Sequence, residues 1–508
     1  MMVDWRLKLA ALLHDPPNKA LDLKEHEREA FAVVERITGP EQFRALFGFS
    51  AASITSKRQW EKIAQNSENY QLIKTSDWIA SAIDRTAYPK QVRLWSQDYV
   101  PEALIKHPFS GQALILPRIR ESYRDSTGYF DQNAASQAQK DALGRAEILL
   151  NHPSLDTFKK KYLALWRALP SLVDGEHALL PPDTRMVDHT LWNHVDAASA
   201  VIGAVPQPTF LSMSIGPVQS FIAEARRTQD LWVGSYILSY LTWAGIRTIV
   251  QAYGPDAILY PALRGQPLVD KWLKEEKIWQ AIEDVFQNQH FIKQGLQQPL
   301  EQDITIATIP NKFTAIVPLQ ALSSLPDQVE QEIRKIWREI AKEVEEKFPG
   351  SPRGDTWQCI WKRQVEREDF PEVYWTTVTW PDTKKFPQHH GAEETLRRAE
   401  EWFEPCGPWL HYRQLLTTYH KAWQQGIHSG TMYGILHSLV SEALDARKRT
   451  RNFDQLEEDG EKCTVINGLS ALRTEKKQKR SEVRKYWAEV QEALKGQKRF
   501  HELQPGGR

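Results

Sequence analysis

The sequence predicts an α+β multidomain chain: a helical N-terminal region, a β-α-β-β-α-β block in the middle and a helical C-terminal region. Three observations predict it. Apolar residues recur at helical spacing through the first 200 residues, short alternating runs rich in β-branched residues appear between residues 210 and 380, and helical spacing returns after residue 392. A length of 508 residues suits about three domains. Their expected limits are 1–205, 206–390 and 391–508.

The elements follow in order. "DWRLKLAALLHD" places Trp5, Leu9, Leu12 and Leu13 on one side of a helix. The polar stretch "SKRQWEKIAQNSEN" reads as a mobile loop. "YQLIKTSDWIASAIDRTAY" is helical again, with Ile73, Trp78, Ile79 and Ile83 in register. "HPSLDTFKKKYLALWRALPSL" is an amphipathic helix capped near Ser154 or Asp156. "GAVPQPT", residues 203 to 209, reads as a linker. "FLSMSIG" then alternates as a strand, and "PVQSFIAEARRTQDLWVGSYILSYLTWAGIRTIVQAYG" reads as helix, break and helix. "AILYPAL" and "KFTAIVPL" are strands, "DQVEQEIRKIWREIAKEVEEKF" is a long helix, and "VYWTTVTW" is a fourth strand. That order is the ferredoxin-like split βαβ pattern. The helical remainder is interrupted by the charged "RNFDQLEEDGEKC".

Composition excludes some function classes. Lys plus Arg and Asp plus Glu both number 65, which argues against a wholesale polycation but permits a local basic groove. The 19 tryptophans are read first as packing residues, with base stacking as the alternative. Cys359, Cys406 and Cys463 do not make a disulfide framework and suit a reducing compartment. The N-terminus lacks a basic leader, and no apolar run reaches the roughly 20 residues of a membrane span. A soluble cytoplasmic protein without a membrane partner is expected.

His14 and Asp15 are adjacent at the end of the first helix, and Pro16 and Pro17 stop that helix at once. An imidazole and a carboxylate in succession can bind one divalent ion or bridge two. Two ions about 4 Å apart suit phosphodiester hydrolysis. Lys19 brings a point charge toward a scissile phosphate. A doublet alone is also a common surface pair, so further ligands are needed. His26 in "KEHEREA", Asp77 and Asp84 are the candidates, and each has an ordinary alternative: an exposed histidine, a helix-start charge and an ion pair with Arg85.

"KLAALLHDPPNKAL", "SDWIASAIDR", "LSMSIGPVQSFIAEARRTQDLWVGSYILS", "GPDAILYPALRGQPLVD" and "LEEDGEKCT" occur in this order, and together they resemble the large subunit of the type III-B CRISPR (Cmr) effector complex, the Cas-ten family. The resemblance implies an HD-type nuclease for single-stranded DNA over residues 1–205, with metal ligands at His14, Asp15 and Asp77, and less securely at His26. It implies manganese, nickel or cobalt as cofactor, and His14 and Asp15 are then read as catalytic, with Lys19 joining them as the charge read from its position. Residues 206–390 correspond to the first of two palms that together make cyclic oligoadenylates from ATP. The Gly-Gly-Asp-Asp turn of the second palm has no counterpart here, so the chain reads as the N-terminal portion of such a subunit.

The strand ending at Gly216 with Pro217 opening a helix places Gln219 and Ser220 in a first turn, and Gly234 and Ser235 are read as starting the next helix. By resemblance these five residues contact one ATP; otherwise the glycines only permit packing. "GEKCTVING" resembles half of a zinc knuckle, but Ile466 stands where the second cysteine belongs, and no structural zinc is expected in this degenerate region of 391–508. "DARKRTRN" and "RTEKKQKRSEVRKYW" are solvated helix faces or contacts to guide or target RNA. His389 and His390 read as a loop pair. The implied partners are the other Cmr subunits, CRISPR guide RNA, target RNA and single-stranded DNA. The alternatives are a non-catalytic scaffold of the same complex and a stand-alone HD phosphohydrolase.

Overall fold

A computed structural model describes residues 3–17, 19–20, 26–85, 123, 125–128, 131–182, 189–288, 299, 306–348, 354–367, 370–380, 414, 429–450, 458, 460–464 and 468–494. Cys406, His389, His390 and Ile466, named in the sequence reading, lie outside these residues, as does the side chain of Asp84.

The first region is helical: α1 (Trp5–Leu13), α2 (His26–Thr38), α3 (Pro40–Phe47), α4 (Lys57–Ala64), α5 (Glu68–Arg85), α6 (Gln132–Leu150), α7 (Phe158–Ala168) and α8 (Leu191–Gly203). The Asp4 carboxylate caps α1 by accepting from the Arg6 amide. This helix is not amphipathic as expected: Leu7 through Leu13 are all buried, Lys8 included. Packing against α2, α5, α7 and α8 covers it all round.

The stretch expected as a mobile loop is α4 instead. The Ser56 hydroxyl accepts from the Gln59 amide at its start, and Trp60 and Ala64 bury its inner side. Trp60 and Ala64 are four residues apart, and two anchors in a polar octet give too weak a period to read. The cap of α7 is Thr157, not Ser154 or Asp156; the Asp156 carboxylate pairs with Lys160 at 3.0 Å.

The middle region runs β1 (Pro208–Gly216), α9 (Val218–Ala223), α10 (Thr228–Tyr253), β2 (Ile258–Tyr260), α11 (Pro267–Glu275), α12 (Trp279–Gln287), β3 (Lys312–Pro318), α13 (Leu325–Glu346), α14 (Asp355–Gln364) and β4 (Glu372–Thr379). The strands form a small antiparallel sheet in the order β2-β3-β1-β4, with Phe210 registered between Ile316 and Val378. The β-α-β-β-α-β order is present, with α11 and α12 inserted before β3. β2 stops at Tyr260, before Pro261, which has no amide to donate.

Every residue of β1 is buried. Leu211, Met213 and Ile215 share a core with Leu241 and Ile249 of α10 and Val329 and Ile333 of α13. Phe210, with Ile316 and Trp380, packs toward Ile435, Leu436 and Val440 of α15 (Tyr433–Arg449). Helices thus cover both faces of the central strand. The last helix among the described residues, α16 (Arg480–Leu494), packs Tyr486 and Val490 on Trp357 and Trp361, and the Trp357 indole donates to the Tyr486 hydroxyl at 2.9 Å.

Only residues 204–207 separate α8 from β1, where a linker was expected. The core continues across them, from Leu9 and Leu12 to Val250 and Val317. Buried ion pairs cross as well: Lys8 to Asp256 at 2.6 Å, Arg167 to Asp270 at 2.7 and 2.8 Å. Among the described residues no helix is long and apolar enough to cross a membrane.

Candidate metal centre

Helices α1, α5 and α8 pack together and bring four side chains to one point. His14 is the C-cap of α1, Asp15 follows it, Asp77 lies on α5 and His194 on α8. One ligand atom from each lies within 4.8 Å of all the others, and all four residues are buried. The α5 helix is held from its other side by the turn at 429–432. Gly430 permits that approach, because a Cβ there would stand 2.5 Å from the Ile79 carbonyl oxygen.

His14 Nδ1 lies 2.6 Å from the carbonyl oxygen of Ala11. A carbonyl only accepts, so Nδ1 carries a hydrogen and donates it, which leaves Nε2 as the ring atom facing the carboxylates. Nε2 stands 3.7 Å from both Asp15 Oδ2 and Asp77 Oδ1. His194 Nε2 stands 3.3 Å from Asp15 Oδ2 and 3.2 Å from Asp77 Oδ1. His14 Nε2 and Asp15 Oδ1 are buried without a hydrogen-bond partner. Buried polar atoms left without partners are costly and call for an explanation.

Two lysines border the cluster. Lys19 Nζ donates to Asp15 Oδ2 at 2.5 Å, and Lys74 Nζ donates to Asp77 Oδ2 at 2.8 Å and to Glu27 Oε1 at 2.7 Å. Burial alone raises the Asp15 pKa, yet Lys19, His14 and His194 hold it well below the usual carboxylate range. At Asp77, burial is likewise outweighed, first by Lys74 and then by the neighbouring His14 and His194. Both carboxylates are therefore anionic at neutral pH, as metal ligation requires.

The donor set fits a divalent transition ion. Two imidazoles and two carboxylates are borderline ligands. The Ala11 carbonyl fixes the His14 tautomer in the way an outer-shell partner of a ligating histidine does.

The sequence candidates separate here. His14, Asp15 and Asp77 come together. His26 sits beside the cluster, with Nε2 3.7 Å from Asp15 Oδ1 and 3.9 Å from Glu27 Oε1, and is not one of the four clustered groups. Lys19 is in place as a neighbouring cation. His194 was missed. On "LWNHVDAASAVIG" it looks like a core histidine, and nothing local marks it as a ligand.

The second candidate set lies on β1, α9 and α10. Gln219 and Ser220 are exposed on the six-residue α9. The helix begins at Val218, with Pro217 as its cap, one residue later than read. Gly234 and Ser235 do not begin a helix. α10 starts at Thr228, so they lie in its second turn, where Gly234 faces Phe221 and the Ser235 hydroxyl donates to the Leu231 carbonyl. Gly216 ends β1 opposite Glu372.

Residues 210–342 match the family model described as "CRISPR-associated protein Cmr2, N-terminal". The "CRISPR system Cmr subunit Cmr2" of Pyrococcus furiosus is 26% identical over 361 residues. Over these residues the chain is similar to Cmr2 proteins. The Cmr2 of Saccharolobus solfataricus is 26% identical over 340 residues. The alignments cover 68% and 61% of this chain but only 38% and 29% of those two proteins. Among solved structures, a chain titled "Type III-B Cmr-beta Cryo-EM structure of the Apo state" is similar with a TM-score of 0.49 and 18% identity, over 97% of this chain and 50% of that one. The resemblance read from the sequence and these Cmr2 matches agree.

Proposed function

We propose that this chain is the N-terminal portion of the large subunit of a type III-B CRISPR effector, and that its helical region is an HD-type, metal-dependent nuclease for single-stranded DNA. The observation that carries the proposal is the buried quartet His14, Asp15, Asp77 and His194, in which two polar atoms lack hydrogen-bond partners. These four residues would hold the ion, with manganese, nickel or cobalt the candidates. When bound, such an ion supplies Lewis acidity for phosphodiester hydrolysis. The Ala11 carbonyl keeps His14 in its ligating tautomer. Lys19, 15% exposed at its side chain, sets a positive charge beside Asp15 where a phosphate arrives. In this reading the sheet and its helices are the ferredoxin-like first palm, and Gly216, Gln219, Ser220, Gly234 and Ser235 belong to an ATP site completed by a second palm. Other Cmr subunits, guide RNA and target RNA are the partners.

The test is cleavage of labelled single-stranded DNA with manganese by the chain and by a His14→Ala, Asp15→Ala double variant. Cleavage by the first alone supports the nuclease; equal cleavage removes it. One observation favours a second reading, a non-catalytic scaffold: Lys19 and Lys74 already neutralise both carboxylates without any ion. That reading expects no calorimetric manganese binding and no cleavage by the unmodified chain.

A further inference from the structure

A cavity of about 610 Å³ opens beside the candidate metal centre. His26 and Lys74 line it, and both also reach the cluster: Lys74 Nζ is 2.8 Å from Asp77 Oδ2 and His26 Nε2 is 3.7 Å from Asp15 Oδ1. The cavity and the cluster therefore share a wall. The volume lies within the usual range of small-ligand sites.

The lining is aromatic and cationic. Trp60 and Tyr70 are its buried aromatic rings, set edge to face at 5.6 Å, and both donate to Glu27. Trp78 lines the same cavity and is 37% exposed, unusual for so large an apolar side chain. It follows Asp77 directly on α5. Arg28 and Lys57 line the cavity too, against one exposed acid, Glu61; the other acid, Glu27, is already engaged by Lys74 and Tyr70. Aromatic faces interleaved with cations are what a single strand needs: rings for bases, charges for phosphates.

We infer that this cavity is a base subsite: Trp78 stacks on one unpaired nucleobase of the strand whose phosphate meets the metal centre, and Arg28 and Lys57 meet the flanking phosphates. The inference rests on the nuclease reading for its substrate and adds where the strand is gripped. A paired base is held inside the duplex stack and does not reach a pocket without flipping, so the subsite selects single strands.

The experiment measures anisotropy of a fluorescein-labelled DNA hexanucleotide with the full chain in EDTA, so binding is read without cleavage. Trp78→Ala should weaken binding about tenfold, and Trp78→Phe should stay within about threefold of the unmodified chain. A hexanucleotide made entirely of abasic sites should bind the unmodified chain as weakly as the intact one binds Trp78→Ala. An RNA hexanucleotide, which also offers bases, should show the same Trp78 dependence. Equal affinity of Trp78→Ala and the unmodified chain overturns the subsite, and so does tight binding of the abasic strand, which needs no variant to fold. Loss of cleavage with intact Trp78-dependent binding overturns the nuclease and leaves the subsite standing.

Discussion

Lys8 Nζ lies 2.6 Å from Asp256 Oδ2, and neither side chain is exposed to solvent. The pair joins α1, whose end carries His14, to the turn between α10 and β2. Lys8 also donates to the Ser199 carbonyl at 3.2 Å, tying in α8, the helix of His194. Burial pulls the Lys8 pKa down and Asp256 pulls it back up. The ammonium is tolerated there because its counter-ion is in contact.

Removing one partner leaves an uncompensated buried charge. Lys8→Met and Asp256→Leu should each cost about 3–5 kcal/mol, and the double variant should cost clearly less than their sum. Urea unfolding of the four proteins measures this. Additive losses mean that the two residues do not act as a unit.

The candidate metal centre predicts a graded response to ligand removal. Calorimetric titration with manganese should show binding by the unmodified chain and at least about a tenfold loss in His194→Ala, since even outer-shell substitutions cost that much. His26→Ala should lose less, because His26 stands outside the four clustered groups. Saturating manganese at about 100 Kd should add roughly 2.7 kcal/mol to stability, and EDTA should remove it. Identical losses in the two variants would place His26 among the ligands.

Glu27 predicts an acid dependence. Its partly buried carboxylate accepts from Lys74 at 2.7 Å and from the Tyr70 hydroxyl at 2.5 Å. Burial raises its pKa, and Lys74 and Tyr70 together bring it below the ordinary 4.5. The folded state thus binds the proton less tightly than the unfolded chain. The stability this contributes is complete above about pH 5 and is lost as pH falls through the folded value, below 4.5. Glu27→Gln should therefore be about 2 kcal/mol less stable at pH 7, the worth of a charged hydrogen bond, with the deficit shrinking below pH 4.5. Urea midpoints in EDTA at pH 7, 5, 4 and 3 measure the trend. A deficit independent of pH would assign it to shape instead of charge.

Much of the fold was legible. The alternation of "FLSMSIG" and "KFTAIVPL" and the long period of residues 327–348 are local signals, and the strands and helix stand within a few residues of where they were read. Elements with weak local signals were not legible. α4 depends on a serine cap and one buried tryptophan, so its polar face reads as loop. α1 looks amphipathic because Lys8 looks like a surface residue, and only Asp256, 248 positions away, makes it a buried one.

The candidate site divides in the same way. The sequence by itself determined the helix that ends at His14 and Asp15, since two prolines forbid its continuation, and it determined that Asp77 sits on a helix. Only the tertiary structure decided that α8 crosses both of these helices and delivers His194, and that Trp78 borders a cavity. The physical reason is range. Caps, prolines and periodicity act between residues a few positions apart, whereas a shared ion or a base pocket needs groups from distant segments within a few ångströms, and only packing of the core sets that distance.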